Sequence, residues 1–497
     1  MTFLDLSAPT AWLGELSLYP DLSFPVQVFI RAAYGWLLLA TLALNIPNWR
    51  WFFIDERWGG YSKHSRLVGF TENPYSSTVI CGVWLGLAAL LIAGKWTVWA
   101  VLVNVLLCHH FFIRMRWNSL LRGMGAPGFI ATWLGAAVFL LEYTAAYAIE
   151  LRPLALLVVQ VDLAIIMFSA GVSKIASGYP RNEGMELGLV NPMWGYWWKA
   201  YSKLPADHWL LWTLNQLAWG VELLAAILMV IPQTRFVGGM MILLTFVFIL
   251  THIRLGFLCE MVVVCGMLFF HPGSMGDLAV RAVVSEPSQA VSAAPAILNF
   301  LLGAALWLYL LLRPLAFLGL SYNYFLRKRL WSPLQSGLEA YSNFFGIILW
   351  RVFTVDVVNF YVDIRSRNAA AAESPSLARW DSPLDRRYNH VAEAIAVATV
   401  FTTLKYYGNQ PELFKERLLR YARTLRIARD ARPIFRYIEI DKASGRFRYV
   451  PRAEYTVDLA AGTVAERSVG EKESGPPRIE GKVAYEGARP GSYAPRR

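Results

Sequence analysis

The chain is 497 residues long, 56% hydrophobic and only 16% charged, whereas a soluble domain carries about 25% charge. That excludes an ordinary soluble protein and reads as a polytopic membrane protein. The net charge of +12 sits mainly in the loops of one side and in the tail, the positive-inside pattern rather than a nucleic-acid-binding one.

Asp5, Glu15 and Asp21 stand where a basic leader would be, so no cleavable signal peptide is expected. Residues 9–18 suggest an interfacial helix. Apolar runs then predict spans over 26–46, 78–93, 97–113, 128–147, 154–175, 208–231, 236–253, 255–270 and 296–320. The seventh and eighth are joined by almost nothing at Arg254–Leu255, so one of them is tilted or re-entrant. Cys81, Cys108, Cys259 and Cys265 all lie in apolar runs, without CxxC or zinc spacing, which predicts buried free thiols. The loop at 176–207 carries NPMWGYWWKAYSKLP, aromatic and basic, and reads as interfacial. Alternate loops carry eleven Lys and Arg against four. With nine spans this puts the N-terminus outside and the tail in the cytoplasm.

From residue 321 the composition changes. Residues 321–367 read as a membrane-associated helical connector, with 337–364 lying on the membrane or the bundle. An Ala/Ser-rich linker at 368–376 contains Pro375, which breaks a helix. Residues 376–469 then form a soluble domain: helices over 391–406 and 411–429, a hairpin pairing 436–440 with 446–450 across a turn at 442–445, and a strand near 455–459. Residues 470–497, rich in Pro, Gly and charge, read as disordered. The fold expected is an all-α polytopic membrane bundle of about nine spans with a small α+β C-terminal soluble domain.

Function is sought in the polar groups of the spans. The stretch QVDLAIIMFSAGVSKIAS at 160–177 sets small residues around Lys174. They admit another helix or a flat ligand to the backbone. The lysine either snorkels to the interface or sits in a cavity with a lowered pKa and acts as a base. Glu222 lies mid-span after Asn215 and Gln216 and needs a partner or a proton. His252, Arg254 and Glu260 cluster at the junction of spans seven and eight, as a substrate-binding group or as an ion pair holding the turn. Glu142 and Asp162 suit pairing with Arg or His of neighbouring helices. His109 and His110 point to different helix faces and suit an interfacial pair, with haem ligation the alternative.

AGVSKI at 170–175, NSLLRGMGAP near Asn118, the mid-span acid of span six and THIRLGFLCEMVVVCGMLFFHPG at 251–273 resemble the vitamin K-dependent γ-carboxylase-like, horizontally transferred transmembrane family over residues 25–320. The resemblance implies a quinol cofactor, reduced vitamin K or another quinol, with Lys174 as the base that deprotonates it. It implies that His252 positions or stabilises the anion. Glu222 would be a second proton or substrate contact, and Arg254 and Glu260 would bind substrate. The tail has no counterpart of the carboxylase's large later domain. The alternative is non-enzymatic: a scaffold or accessory subunit whose bundle binds lipid or quinone and whose tail docks a protein partner. An enzyme is expected to show a ring-sized cavity reaching Lys174 and His252. A scaffold is expected to fill that space with side chains.

Overall fold

The computed structural model describes residues 19–46, 70–71, 73–116, 124–285, 295–326, 328–346, 355–367, 389–425, 427 and 431–469. The expectations for 9–18, the linker at 368–376 and the tail at 470–497 lie outside them, as do most of the first loop and part of the third.

Among the described residues, eight helices are long and apolar enough to cross a bilayer, so this is a multi-pass membrane protein. In chain order they are α1 (Phe24–Asn45), α2 (Pro74–Ala93), α3 (Thr97–Cys108, extended by a π-helical turn His109–Arg114), α4 (Gly125–Tyr147), α5 (Arg152–Ala176), α6 (Trp209–Val230) and α7 (Arg235–His252). After a short α8 (Leu258–Gly266), α9 (Ala296–Phe325) completes the set.

The eighth expected span, 255–270, is corrected. It folds as α8 and a 3-10 turn, Met267–Phe269. Leu258–Phe269 is about 18 Å long at 1.5 Å per residue, too short to cross the ~30 Å hydrocarbon layer alone. It has no need to. It packs against α1, α4 and α7, and Cys259, Val262, Cys265 and Leu268 are fully buried. Where the helix ends, protein replaces lipid: Gln160 Nε2 of α5 donates to the Leu268 carbonyl at 2.8 Å. Non-helical backbone at depth is tolerated in such surroundings.

The chain still changes ends here. His252 closes α7 beside the loop that follows α5, since Gly195 pairs with Ile253. Beyond α8, Asp277 accepts a hydrogen bond from Ser23, the N-cap of α1, at the opposite end. Asp277 also accepts from Gly273 N and Arg281 Nε. Burial pushes this carboxyl up, but these hydrogen bonds and Arg281 outweigh it and hold the group below its ordinary value.

Two expected polar pairings are present. Arg31 meets Glu142 at 3.2 Å, and Arg313 of α9 meets Asp162 of α5. All four cysteines are buried free thiols.

After α9 comes α10 (Ser332–Phe345), which lies against the π-helical turn: Phe344 O contacts His109 Nε2 at 2.8 Å, and Asn343 Oδ1 accepts from Arg116 at 3.0 Å. His110 instead contacts Thr71 at 3.3 Å, so the adjacent histidines have different partners.

The soluble domain is a four-stranded antiparallel sheet, β1 (Phe360–Arg367), β2 (Arg432–Ala443), β3 (Arg446–Asp458) and β4 (Thr463–Ser468), in that spatial order. Helices α11 (Asn389–Tyr406) and α12 (Pro411–Ala422) pack on it. Phe401 of α11 meets Tyr437, Tyr455 and Phe414 with ring centroids 5.5–5.9 Å apart. The hairpin forms, but its turn is tighter than expected: Ala443 pairs with Arg446 and Glu439 with Val450, so Arg436 lies opposite Glu454 rather than within 446–450. Ser444 and Gly445 both take positive φ, 54° and 71°, the two-residue turn whose twist matches the strands. The strand expected near 455–459 is the end of β3, and the additional strand is β4. Residues 360–367, read as connector, supply an edge of the sheet.

Candidate functional site

The site is built at the end of the bundle where α5 stops and α6 begins. The small residues before Lys174 admit a helix. A Cβ on Gly171 would lie 2.6 Å from Leu223 Cγ and 3.1 Å from Trp219 O, both on α6. The close approach seats Lys174 Nζ on Glu222 Oε2. The lysine side chain is 12% exposed and the glutamate 3%. Each charge therefore compensates the other in a site where either alone is costly.

The loop after α5 extends this pair outward. Tyr179 is fully buried. Burial, with the Glu222 and Glu186 carboxylates adding to it, pushes its phenol well above the ordinary value. Glu186, in the short helix Met185–Val190, has no exposed surface. Its Oε2 accepts from Asn215 Nδ2 at 2.6 Å and from Gly184 N at 2.9 Å. Asn215 Oδ1 in turn takes the Met185 amide at 2.9 Å. Asn215 precedes Glu222 by two helical turns and shares its face of α6.

Glu186 is neutralised from outside the membrane bundle. Lys442, at the end of β2, seats its ammonium on Glu186 Oε1 and on the Asn182 carbonyl. The same hairpin adds two holds. Gly445 O accepts from Ala206 N at 2.8 Å, and Tyr449 Oη donates to Val190 O at 2.8 Å. Asn191 Nδ2 donates to Val358 O and Phe360 O, both at 2.7 Å, tying β1 to the same loop. Contacts therefore lead from Lys442 to Glu186 and from Glu186 to Asn215, on the face of α6 that also carries Glu222 and its partner Lys174.

Burial pushes the Tyr449 phenol up to about 12, with the Ser202 hydroxyl opposing it. An unfolded tyrosine titrates near about 10. The hold is full below about pH 10 and is lost as pH rises through the folded value. Alkaline titration above about pH 10 is expected to make the hairpin susceptible to protease at 442–446. Tyr449→Phe, which has no hydroxyl to donate to Val190 O, is expected to be cleaved there already at neutral pH and to lose the alkaline onset. An unchanged onset would mean that Tyr449 is not part of the hold.

The other expected site residues lie apart from Lys174. His252 stacks on Phe248 of its own helix at 4.1 Å, and its Nδ1 is 2.9 Å from both Phe248 O and Thr251 Oγ1. Helix α6 packs against both α5 and α7 and so stands between the two residues. Arg254 is buried and braces the interfacial loop. Its Nη1 donates to Pro192 O at 2.8 Å, its amide to Trp194 O at 2.7 Å, and its guanidinium lies 5.3 Å from the Tyr196 ring centroid. Glu260 is half-buried in the first turn of α8.

The structure thus pairs two of the five residues expected from the sequence, Lys174 and Glu222, and adds Glu186, Tyr179 and Lys442, which the sequence did not point to. The available signal was an acid inside the apolar run Met185–Val190. With Gly171 closed by α6 and the ammonium taken by Glu222, the described residues around Lys174 do not fit a quinone ring. A cleft of about 20 Å³ lies between Asn45, Phe112, Met124 and Phe257, and neither Lys174 nor His252 lines it. Among the described residues, no three His, Cys, Asp or Glu side chains come together to hold a metal. Compared with known family models, curated proteins and solved structures, the chain finds no match.

Proposed function

We propose that the chain is a non-enzymatic scaffold or accessory subunit of a bacterial inner membrane. Its bundle is solvated by lipid, and its soluble domain faces the cytoplasm and docks a protein partner. The observation that carries this is the pairing of Lys174 with Glu222 against closely packed α6. A general base must be free to accept a proton, and an ammonium held by a buried carboxylate is not. Orientation rests on the Lys- and Arg-rich loops, which belong to the same end of the bundle as the soluble domain. The partner is supported by β4, a largely exposed strand at the sheet edge that pairs with β3, and edge strands present backbone groups for docking.

The test is reduced naphthoquinone binding by the purified full-length protein in detergent. Wild type is compared with Lys174→Met/Glu222→Gln, which removes both charges at once. Neither protein is expected to bind or oxidise the quinol. A wild type that does so, with loss in the variant, would replace this reading with a carboxylase-like, quinol-using enzyme of the family the AGVSKI segment resembles.

A further inference from the structure

We propose that the β2–β3 hairpin is a latch that couples the soluble domain to the Lys174–Glu222 pair inside the bundle. The proposal goes beyond the scaffold reading and stands without it. It rests on the contacts from Lys442 through Glu186 to Asn215, which shares a face of α6 with Glu222.

Glu186 is the pivot. It has no exposed surface, and two neutral donors, Asn215 and the Gly184 amide, occupy one oxygen. The other is matched by Lys442. Withdrawing Lys442 leaves a buried carboxylate without a counter-charge, the situation in which removing one partner is strongly destabilising. The local structure can relieve it only by moving Glu186 toward water. Glu186 is tied to Asn215, and Asn215 sits two turns from Glu222 on the same face of α6. Tyr179, fully buried, packs its ring on Gly184, whose amide donates to Glu186. Moving Glu186 therefore pulls on α6 and repacks Tyr179, and both changes reach the contact between Glu222 and Lys174.

The remaining holds make the latch separable from the domain's attachment. Gly445 O with Ala206 N, Tyr449 with Val190 O, and Asn191 with β1 do not pass through Lys442. Losing the lysine alone leaves the domain seated while Glu186 loses its counter-charge. An event at the soluble domain that withdraws the Lys442 side chain while these holds persist thereby becomes an electrostatic change within the bundle.

The experiment is hydrogen exchange on the full-length protein in detergent, with a double-mutant cycle. Lys442→Met is expected to raise exchange about tenfold or more, not only in 182–190 but along α6 from Asn215 to Glu222 and in the last turn of α5. Combined with Glu222→Gln, the effect on the unfolding equilibrium is expected to depart from the product of the single effects by about threefold or more, as coupled sites do. Arg448→Met, an exposed position on the same hairpin, is the control and is expected to change nothing in the bundle. Glu186→Gln/Lys442→Met removes both charges. It is expected to return α6 to wild-type exchange, and it serves if the single variant does not fold. Changes confined to the hairpin and 182–190, with multiplicative effects in the cycle, would overturn the latch.

Discussion

Arg313→Met is expected to cost about 3–5 kcal/mol of stability, the usual range for a buried ion pair that loses one partner. Asp162 lies mid-way along α5 and is almost fully buried. One of its oxygens accepts from Arg313 Nε. The other takes Tyr309 Oη at 2.7 Å and Trp133 Nε1 at 2.9 Å. Without the guanidinium, a carboxylate remains in an apolar bundle with neutral donors only. Helix α9 is thinly packed, with only 17% of its apolar window buried, so the loss of this contact weighs heavily on it. Lipid supplies no hydrophobic gain for bringing it to α5. Asp162→Asn/Arg313→Met is expected to recover most of the loss. Denaturant titration of the detergent-solubilised protein reads both variants. A loss below about 1 kcal/mol, the level of an exposed pair, would show that water reaches the site.

Gly195→Ala is expected to undock the interfacial loop from the end of α7. A Cβ there would lie 2.1 Å from Leu189 O and 2.8 Å from Leu189 C. Both are backbone atoms, which cannot rotate aside as a side chain does. Gly195 is also fixed by its bridge to Ile253 and by its amide's 2.8 Å bond to Asn191 O. Overpacking costs about 1–3 kcal/mol where side chains can adjust, and this site falls at or above the top of that range. Gly82→Ala is the matched control, because nothing lies within 4 Å of its added Cβ. It is expected to be neutral or slightly stabilising, as alanine is in a helix. Thermal unfolding of the detergent-solubilised protein, with protease cleavage in 191–207 as the local readout, separates the two. Equal behaviour would refute the close approach at Gly195.

The long helices were legible because lipid demands an unbroken apolar run, and each of the eight has one. The hairpin was legible because Ser444–Gly445 sits between alternating strands. Other features depend on neighbours that a linear reading cannot see. Helix α8 is short because α1, α4 and α7 shield it. β1 was read as connector because FYVDIRSR follows a long aromatic run and its pairing partner lies some seventy residues on. At the site, Lys174 and Glu222 were singled out separately as costly charges, but their pairing depends on Gly171 admitting α6. Lys442 gave no signal, because a lysine beside a turn ordinarily belongs to water. His252 and Lys174 were placed at one end of the bundle, and they are, with α6 between them.

The interior helix α8 also constrains biogenesis. A segment of about 18 Å has no stable transmembrane form in lipid by itself, so it cannot leave the insertion machinery as an independent span. It must be received by helices that are already assembled. Two of its three packing partners, α1 and α4, are synthesised well before it, and the third, α7, immediately precedes it. The order of elements along the chain is therefore also a workable order of assembly. Asp277 reaches Ser23 only once α8 has carried the chain to that end of the bundle, so their contact marks the completion of that step.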